Sequence, residues 1–309
     1  MSRIVITEFM DQAAVATLRG AHEVMYDPQL VDAPQRLHAA AASADAIIVR
    51  NRTQVRGELL AALARCTVVG RLGVGLDNID VAACEARGMR VIPATGANAL
   101  SVAEYVVGTA MLQLRGAYQR SADVAAGSWP RSALSNGREV SGKTLGLIGF
   151  GSIGQLTARL AQGLGMTVAA FDAMMDAANP AFAQTGVLCM ALDELTAASD
   201  VISLHVPLLA STRDLFNAQR IAAMKPGSVL INTARGGVVT EAALAAALKA
   251  GHLGGAAIDV FAVEPVPANS VWVGCSNLLL TPHIAGVTAE ANERVSALIA
   301  ERVLKALNR

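Results

Sequence analysis

The chain is predicted to fold as α/β, in two doubly wound domains that each carry a parallel sheet. Short apolar, β-branched runs alternate with Ala/Leu-rich stretches of helical period along its whole length. At 309 residues it is longer than one hydrophobic core usually supports. A glycine-containing loop, Ala94-Thr-Gly-Ala-Asn98, separates a first set of α/β units from a second.

In the first set, strands are predicted over 4–7, 23–25, 46–50, 68–71 and 90–92, with helices over 12–19, 34–42 and 58–64. Past the loop a helix begins near Ser101, with Asn98 or Ser101 as its cap and Glu104 at the third position if Ser101 caps. The second set has strands over 144–149, 167–171, 187–190, 201–205, 229–232, 255–259 and 278–281. Helices follow most of them, as at 155–164 and 241–250. A long amphipathic helix over 289–307 closes the chain and is expected to cross back to the first domain. The domains are therefore residues 1–98 with 287–309, and residues 99–286.

Composition narrows the function. Hydrophobic residues make up 53% and charged residues 16%, which excludes a disordered chain. Lys and Arg number 25, as do Asp and Glu, so the long-range attraction used by nucleic-acid and membrane-surface binders is missing. Cys66, Cys84, Cys189 and Cys275 are scattered, suit neither a disulfide framework nor a metal site, and are expected to be small buried hydrophobes. The N-terminus runs directly into a strand without a signal peptide. The uncharged stretch 265–289 is broken by Pro265, Pro267 and Pro282, so no membrane span is expected. These features predict a soluble, cytoplasmic protein.

The most informative stretch is Lys143-Thr-Leu-Gly-Leu-Ile-Gly149-Phe-Gly151-Ser-Ile-Gly154. Gly149, Gly151 and Gly154 spell G-x-G-x-x-G where a strand passes into a helix. They allow the tight turn, the approach of a pyrophosphate, and close helix–strand packing. The helix N-terminus then offers free N–H groups to phosphate. Asp172 ends the next strand, eighteen residues past Gly154, where an acid binds the adenosine ribose diol. No arginine follows it closely, so the pattern predicts a Rossmann domain that prefers NAD to NADP.

Three later segments each place one polar group just past an apolar strand: Arg235 beside two glycines, Glu264 five residues beyond Asp259, and His283 after the last strand. Ligands of open α/β sheets bind beyond the carboxyl ends of the strands. Oxidation of an alcohol needs a hydride acceptor and a base, and imidazole titrates near neutrality. A carboxylate orients the ring, and a guanidinium grips a carboxylate by two parallel contacts. Arg235, Glu264 and His283 are thus the candidate catalytic residues.

Taken together, these segments resemble the D-2-hydroxyacid dehydrogenase family over essentially the whole chain. The likeness is carried by Gly149-Phe-Gly-Ser-Ile-Gly154, Asn232-Thr-Ala-Arg235-Gly-Gly, Asp259-Val-Phe-Ala-Val-Glu264-Pro, Pro282-His283-Ile-Ala-Gly286 and Gly70-Arg-Leu-Gly-Val-Gly75-Leu-Asp-Asn-Ile-Asp80. The resemblance implies a Rossmann NAD-binding domain inserted into a flavodoxin-like substrate domain, whose closure about a hinge excludes water. It implies that Arg235 binds the substrate carboxylate, that His283 is the acid/base and that Glu264 is its partner. It puts Val74, Ser152, Ile153, His205, Val206, Pro207, Thr212, Thr233, Ala234, Arg235, Asp259, His283, Ala285 and Gly286 at the cofactor, with Gly149, Gly151, Gly154 and Asp172. Arg50, Arg71, Gly73, Val74, Gly75, Asn98, Arg235 and His283 fall to the substrate. A homodimer through the helices after Asn98 is implied as well. The family's formate dehydrogenases carry Gln where Glu264 stands, which sets that branch aside.

Within the family, Arg71-Leu-Gly-Val-Gly-Leu-Asp-Asn-Ile-Asp and Ser128-Trp129-Pro-Arg131 are most similar to D-3-phosphoglycerate dehydrogenases. Arg50, Arg52 and Arg71 at neighbouring strand ends suit a second anionic group, a phosphate or a sulfonate, although Arg52, and also Arg71, can be read as solvated surface residues. Oxidation of 3-phosphoglycerate to 3-phosphohydroxypyruvate is therefore the expected reaction. The regulatory domains of many such enzymes are not expected here, and the His-Ile-Ala-Gly-Val-Thr of this chain differs from their His-Leu-Gly-Ala-Ser. (S)-Sulfolactate, which has the spatial arrangement of D-glycerate, is the competing substrate. A non-catalytic NAD-sensing protein is the alternative from another class.

Overall fold

The structure, a computed structural model, describes residues 1–308. In chain order its elements are β1 (Arg3–Ile6), α1 (Gln12–Arg19), β2 (Glu23–Tyr26), α2 (Pro34–Ala41), β3 (Ala46–Val49), α3 (Gly57–Ala62), β4 (Val68–Arg71), α4 (Val81–Ala86) and β5 (Arg90–Pro93). There follow α5 (Ala99–Arg115), α6 (Ser121–Ala125), β6 (Thr144–Ile148), α7 (Ser152–Gly163), β7 (Thr167–Phe171), α8 (Pro180–Thr185), β8 (Leu188–Cys189), α9 (Leu192–Ala198) and β9 (Val201–Leu204). The rest are α10 (Ala218–Ala222), β10 (Val229–Asn232), α11 (Glu241–Lys249), β11 (Gly255–Ile258), β12 (Leu278–Leu280) and α12 (Ala289–Leu307). The chain divides into two compact units, Met1–Asn98 with Val287–Arg309, and Ala99–Gly286.

The first unit holds a five-stranded parallel sheet in the order β2-β1-β3-β4-β5, the flavodoxin-like winding. Its central strand β3 is buried on both faces, hence the unbroken apolar run Ala46-Ile-Ile-Val49. On one face Leu37, Leu59, Leu60 and Cys84, from α2, α3 and α4, cover Ile47 and Val69. On the other, α1 and α12 cover Ile4, Ile6 and Ile48. Helix α12 supplies Val295, Ile299 and Val303 to this face, the four-residue spacing of one helical stripe. Thr288 caps it by accepting the Ala291 N–H at 3.1 Å. Burial of Ile299 alone contributes roughly 1.5–3 kcal/mol.

The second unit holds a seven-stranded parallel sheet in the order β12-β11-β10-β9-β6-β7-β8. The winding runs one way from β6 through β7 to β8 and the other way from β9 onward, so a switch point lies between β6 and β9. There the loops after the two strands diverge and leave a crevice.

Each of the twelve strands expected from the sequence is present among the described residues, with ends within one residue. Two local expectations need correction. Helix α5 starts at Ala99, so Ser101 is a buried first-turn residue and not its cap, and Asn98 Oδ1 is buried without a hydrogen-bond partner. Cys66 and Cys84 are buried, but Cys189 is exposed and Cys275 only half-buried. Cys189 sits on the two-residue edge strand β8, which has no further strand to cover it. Burial pushes the Cys66 thiol up to about 11, so it stays protonated and inert. Among the described residues, no helix is long and apolar enough to cross a membrane.

Candidate active site

Gly149 follows β6 with φ of 98°, a conformation open chiefly to glycine. A Cβ at Gly149 would stand 2.8 Å from the His205 carbonyl, and one at Gly154 would stand 2.5 Å from the Gly149 carbonyl. The turn therefore closes only with glycine at both places. Gly151 has nothing within 4 Å of its missing Cβ, and no side chain caps α7 behind it. A cradle with free first-turn N–H groups results, which is what a pyrophosphate requires. Asp172 is half-buried: Oδ2 accepts the Phe150 N–H at 2.8 Å and Oδ1 the Met174 N–H at 2.9 Å. The acid that ends β7 is thereby tied to the glycine turn after β6. At the end of β10, Thr233 Oγ1 is buried without a protein partner. Cradle, acid and orphaned hydroxyl together fit a dinucleotide, which Gly149, Gly151, Ser152, Ile153 and Gly154 would hold by the phosphates and Asp172 by the ribose.

Beyond β9, the His205 N–H bonds the Ile148 carbonyl at 2.7 Å. Its Nε2 is shut off from solvent and has no partner, and burial pushes the imidazole down to about 4. The ring is neutral at physiological pH. Thr212 accepts the Leu209 N–H at 2.7 Å and donates to the Pro207 carbonyl at 2.5 Å, so its hydroxyl is engaged in holding that loop.

Past β10, buried Asn232 builds the turn that carries Arg235: its Oδ1 accepts the Ala234 N–H and its Nδ2 donates to the Arg235 carbonyl, both at 3.0 Å. A side chain at Gly236 would collide with the Phe261 carbonyl, so only glycine lets this turn lie against the segment after β11. That segment carries Glu264, whose Oε1 accepts the Phe261 N–H at 3.0 Å. Its Oε2 lies 2.9 Å from His283 Nδ1. The two side chains, nineteen residues apart, meet at the mouth of the sheet with 46% of His283 and 37% of Glu264 exposed.

Asp259 is nearly fully buried. Its Oδ1 accepts the Thr281 hydroxyl at 2.6 Å and the Ile284 N–H at 2.8 Å, and its Oδ2 accepts the Ala285 N–H at 2.9 Å. This carboxylate, a position expected at the cofactor, holds the loop around His283 as well. His283 has φ of 57°, a left-handed conformation uncommon outside glycine, and its N–H reaches the Asp259 carbonyl at 2.9 Å. Sequence reading missed Asn232 and Tyr105 as parts of this assembly. The Tyr105 hydroxyl lies 2.6 Å from Thr281 Oγ1.

In the first unit, Arg50 and Arg71 stand at the carboxyl ends of β3 and β4. Arg50 packs over the Phe9 ring at 5.7 Å and donates to Asn292 Oδ1 at 2.7 Å. Burial lowers its guanidinium from the usual value, opposed by nearby Glu8. Buried Glu8 accepts the N–H groups of Arg50, Arg52 and Thr53 at 2.9, 3.1 and 3.0 Å and so fixes the loop. No signal in the sequence marked Glu8. Arg52 is exposed and pairs through both terminal nitrogens with Asp32. Arg71 donates to the Leu72 carbonyl at 2.8 Å, and a side chain at Gly73 would take the place of its guanidinium. Gly75 is half-buried and Val74 exposed in the same loop. Among the described residues no cluster of His, Cys, Asp and Glu suits a metal.

The fold and site define an NAD-dependent oxidoreductase, and comparison with known proteins gives the family. The D-isomer specific 2-hydroxyacid dehydrogenase, NAD binding domain family matches residues 107–285. The (S)-sulfolactate dehydrogenase of Chromohalobacter salexigens is 52% identical over 307 residues, covering 99% of each chain. The D-3-phosphoglycerate dehydrogenase of Mycobacterium leprae is 40% identical over 98% of this chain, which spans only 56% of that protein. The crystal structure of D-lactate dehydrogenase from Aquifex aeolicus, complexed with NAD and lactic acid, superimposes with a TM-score of 0.83 at 28% identity, covering 99% of this chain and 95% of that one. The chain belongs to the D-isomer specific 2-hydroxyacid dehydrogenase family and is an NAD-dependent D-2-hydroxyacid dehydrogenase.

Proposed function

We propose that the enzyme interconverts a D-series 2-hydroxy acid bearing a second terminal anion and its 2-keto acid, with (S)-sulfolactate preferred to 3-phosphoglycerate. The observation that carries the chemistry is the 2.9 Å contact between His283 Nδ1 and Glu264 Oε2. With Nδ1 engaged, Nε2 is the nitrogen left for the substrate oxygen. On oxidation it takes the hydroxyl proton as the C2 hydrogen departs as hydride; on reduction it returns the proton to the carbonyl oxygen. Arg235 holds the substrate carboxylate in a two-point contact and fixes C2 in position. NAD, when bound, supplies the hydride acceptor.

Substrate order is supported by similarity: 52% identity across 99% of both chains to a sulfolactate dehydrogenase, against 40% to a phosphoglycerate dehydrogenase of which this chain spans 56%. This ordering reverses the one expected from sequence motifs. Arg50 supports the second anion in either case. The test is NADH oxidation by purified protein with sulfopyruvate, 3-phosphohydroxypyruvate, hydroxypyruvate, glyoxylate and pyruvate. The highest kcat/KM is expected with sulfopyruvate. Preference for 3-phosphohydroxypyruvate would reverse the substrate order, and no acceleration by any of the five would defeat the reading altogether.

We also propose a homodimer in the cytoplasm. Leu100 and Met111 on α5, and Trp129 beyond it, are 38%, 39% and 77% exposed, an apolar surface that a second copy would cover. The four unpaired thiols suit a reducing compartment. Sedimentation equilibrium returning the monomer mass would reject the dimer.

A further inference from the structure

His283 occupies a left-handed backbone conformation on a loop whose neighbours on both sides hang from one buried carboxylate. Asp259 accepts three hydrogen bonds there, from the Thr281 hydroxyl, the Ile284 N–H and the Ala285 N–H. The direction of the chain leading into it follows from donor and acceptor chemistry. Thr281 Oγ1 donates to Asp259 Oδ1 at 2.6 Å and so spends its single proton there. Its oxygen must then accept at the 2.6 Å contact with Tyr105, and the phenol is the donor. Burial pushes the Tyr105 phenol above its ordinary value, so it keeps that proton throughout the working range. The bonds therefore run Tyr105 to Thr281 to Asp259, with no proton free to reverse.

Tyr105 lies on α5, which packs on β10 and β11 and supplies Val106 and Ala110 to the core beside Ile231 and Ala257. The helix is thus part of the rigid body of the sheet, whereas Thr281–Ala285 is loop. We propose that Tyr105 is a positioning residue: it orients the Thr281 hydroxyl so that Asp259 holds the His283 loop in register with Glu264. It touches neither substrate nor cofactor in this role. Its effect passes through Thr281 and Asp259 to the placement of the imidazole.

The inference rests on His283 being the acid/base, and one control separates the two claims. His283→Ala must abolish 2-keto acid reduction while NADH still binds; turnover retained there would refute the acid/base reading regardless of Tyr105. Given that control, Tyr105→Phe should lower kcat about three- to tenfold, the worth of one neutral hydrogen bond. The KM for the keto acid and the Kd for NADH should be unchanged, a split that general loosening of the fold would not produce. Thr281→Val should lower kcat as well, and Thr281→Ser should restore it to within about twofold by keeping the hydroxyl. The double variant Tyr105→Phe/Thr281→Val should be no slower than Thr281→Val alone. A wild-type kcat in Tyr105→Phe, losses that multiply in the double variant, or a change confined to KM or Kd would overturn the proposal. The Thr281 pair decides the matter if Tyr105→Phe does not fold.

Discussion

Asp172 Oδ2 accepts the Phe150 N–H at 2.8 Å, so the acid ending β7 is fastened to the glycine turn after β6. One carboxylate thereby holds the phosphate cradle closed and presents charge where the adenosine ribose is expected. The two roles separate on substitution. Asp172→Asn can keep an acceptor for Phe150, giving up the Met174 N–H, but removes the charge, and should narrow the preference for NADH over NADPH by about tenfold, the size of one charge–charge term near the surface. Asp172→Ala should also weaken NADH itself, because the turn loses its tie. Fluorescence titration of both nucleotides measures this; an unchanged ratio in Asp172→Asn would show that the charge does not select the cofactor.

Glu264 accepts two donors with two oxygens, the Phe261 N–H at 3.0 Å and His283 Nδ1 at 2.9 Å. Glutamine has one acceptor oxygen, so Glu264→Gln must abandon either the backbone contact or the imidazole. If the imidazole contact is lost, the ring is no longer held with Nε2 toward the substrate; if the backbone contact is lost, the ring keeps an acceptor that is itself no longer anchored to the Phe261 N–H. The expected result is a fall in kcat of about 10²-fold, within the range for general acid–base catalysis, with NADH binding unaffected. Steady-state kinetics and a separate NADH titration check it; a kcat within twofold of wild type would remove Glu264 from the mechanism.

The pairing of Glu264 with His283 and the presence of all twelve strands illustrate what was legible in the sequence. A buried parallel strand needs a continuous apolar run, and Ala46-Ile-Ile-Val49 shows it in four letters. The chemical groups follow such runs, so Arg235 and His283 stand out by position. Short helices such as α4, α8 and α10, of five or six residues, span less than two turns and leave no readable period. Glu8 and Tyr105 were invisible for another reason. Their partners lie 42 to 176 residues away, and a carboxylate that ties three loop amides looks in sequence like any surface acid. Cys189 was misjudged because exposure there depends on which strand forms the sheet edge.

His205 gives a pH dependence whose sign is fixed by burial. Its imidazole is held down to about 4 in the folded chain, against about 6.5 when exposed. Between those values the unfolded chain takes up a proton that the folded chain refuses, so acid favours unfolding. The contribution is fully present above about pH 6.5 and is lost as pH falls toward 4, by at most about 3 kcal/mol. His205→Gln removes the titration. Urea unfolding at pH 7.0 and pH 4.5 should show wild type losing more stability than the variant across that interval. Equal losses would mean that His205 does not carry the acid sensitivity.

Arg50 and Arg52 are two residues apart and are held differently. Arg52 is exposed, and Asp32 already occupies both of its terminal nitrogens. Arg50 is half-buried over Phe9, steadied by Asn292 and carried on a loop that Glu8 fixes through three backbone bonds. A guanidinium whose conformational freedom has already been lost binds an anion with little further entropy cost. Arg50→Ala should therefore raise the KM for sulfopyruvate by about ten- to a hundredfold, the value of a charged hydrogen bond, and leave that for pyruvate nearly unchanged. Arg52→Ala should change either by less than about threefold, as expected for an exposed ion pair. The ratio of the two KM values in each variant is the measurement. If Arg50→Ala raises both equally, Arg50 supports the fold of the first unit and does not read the second anion; if Arg52→Ala alone changes the ratio, Asp32 must release Arg52 when substrate binds.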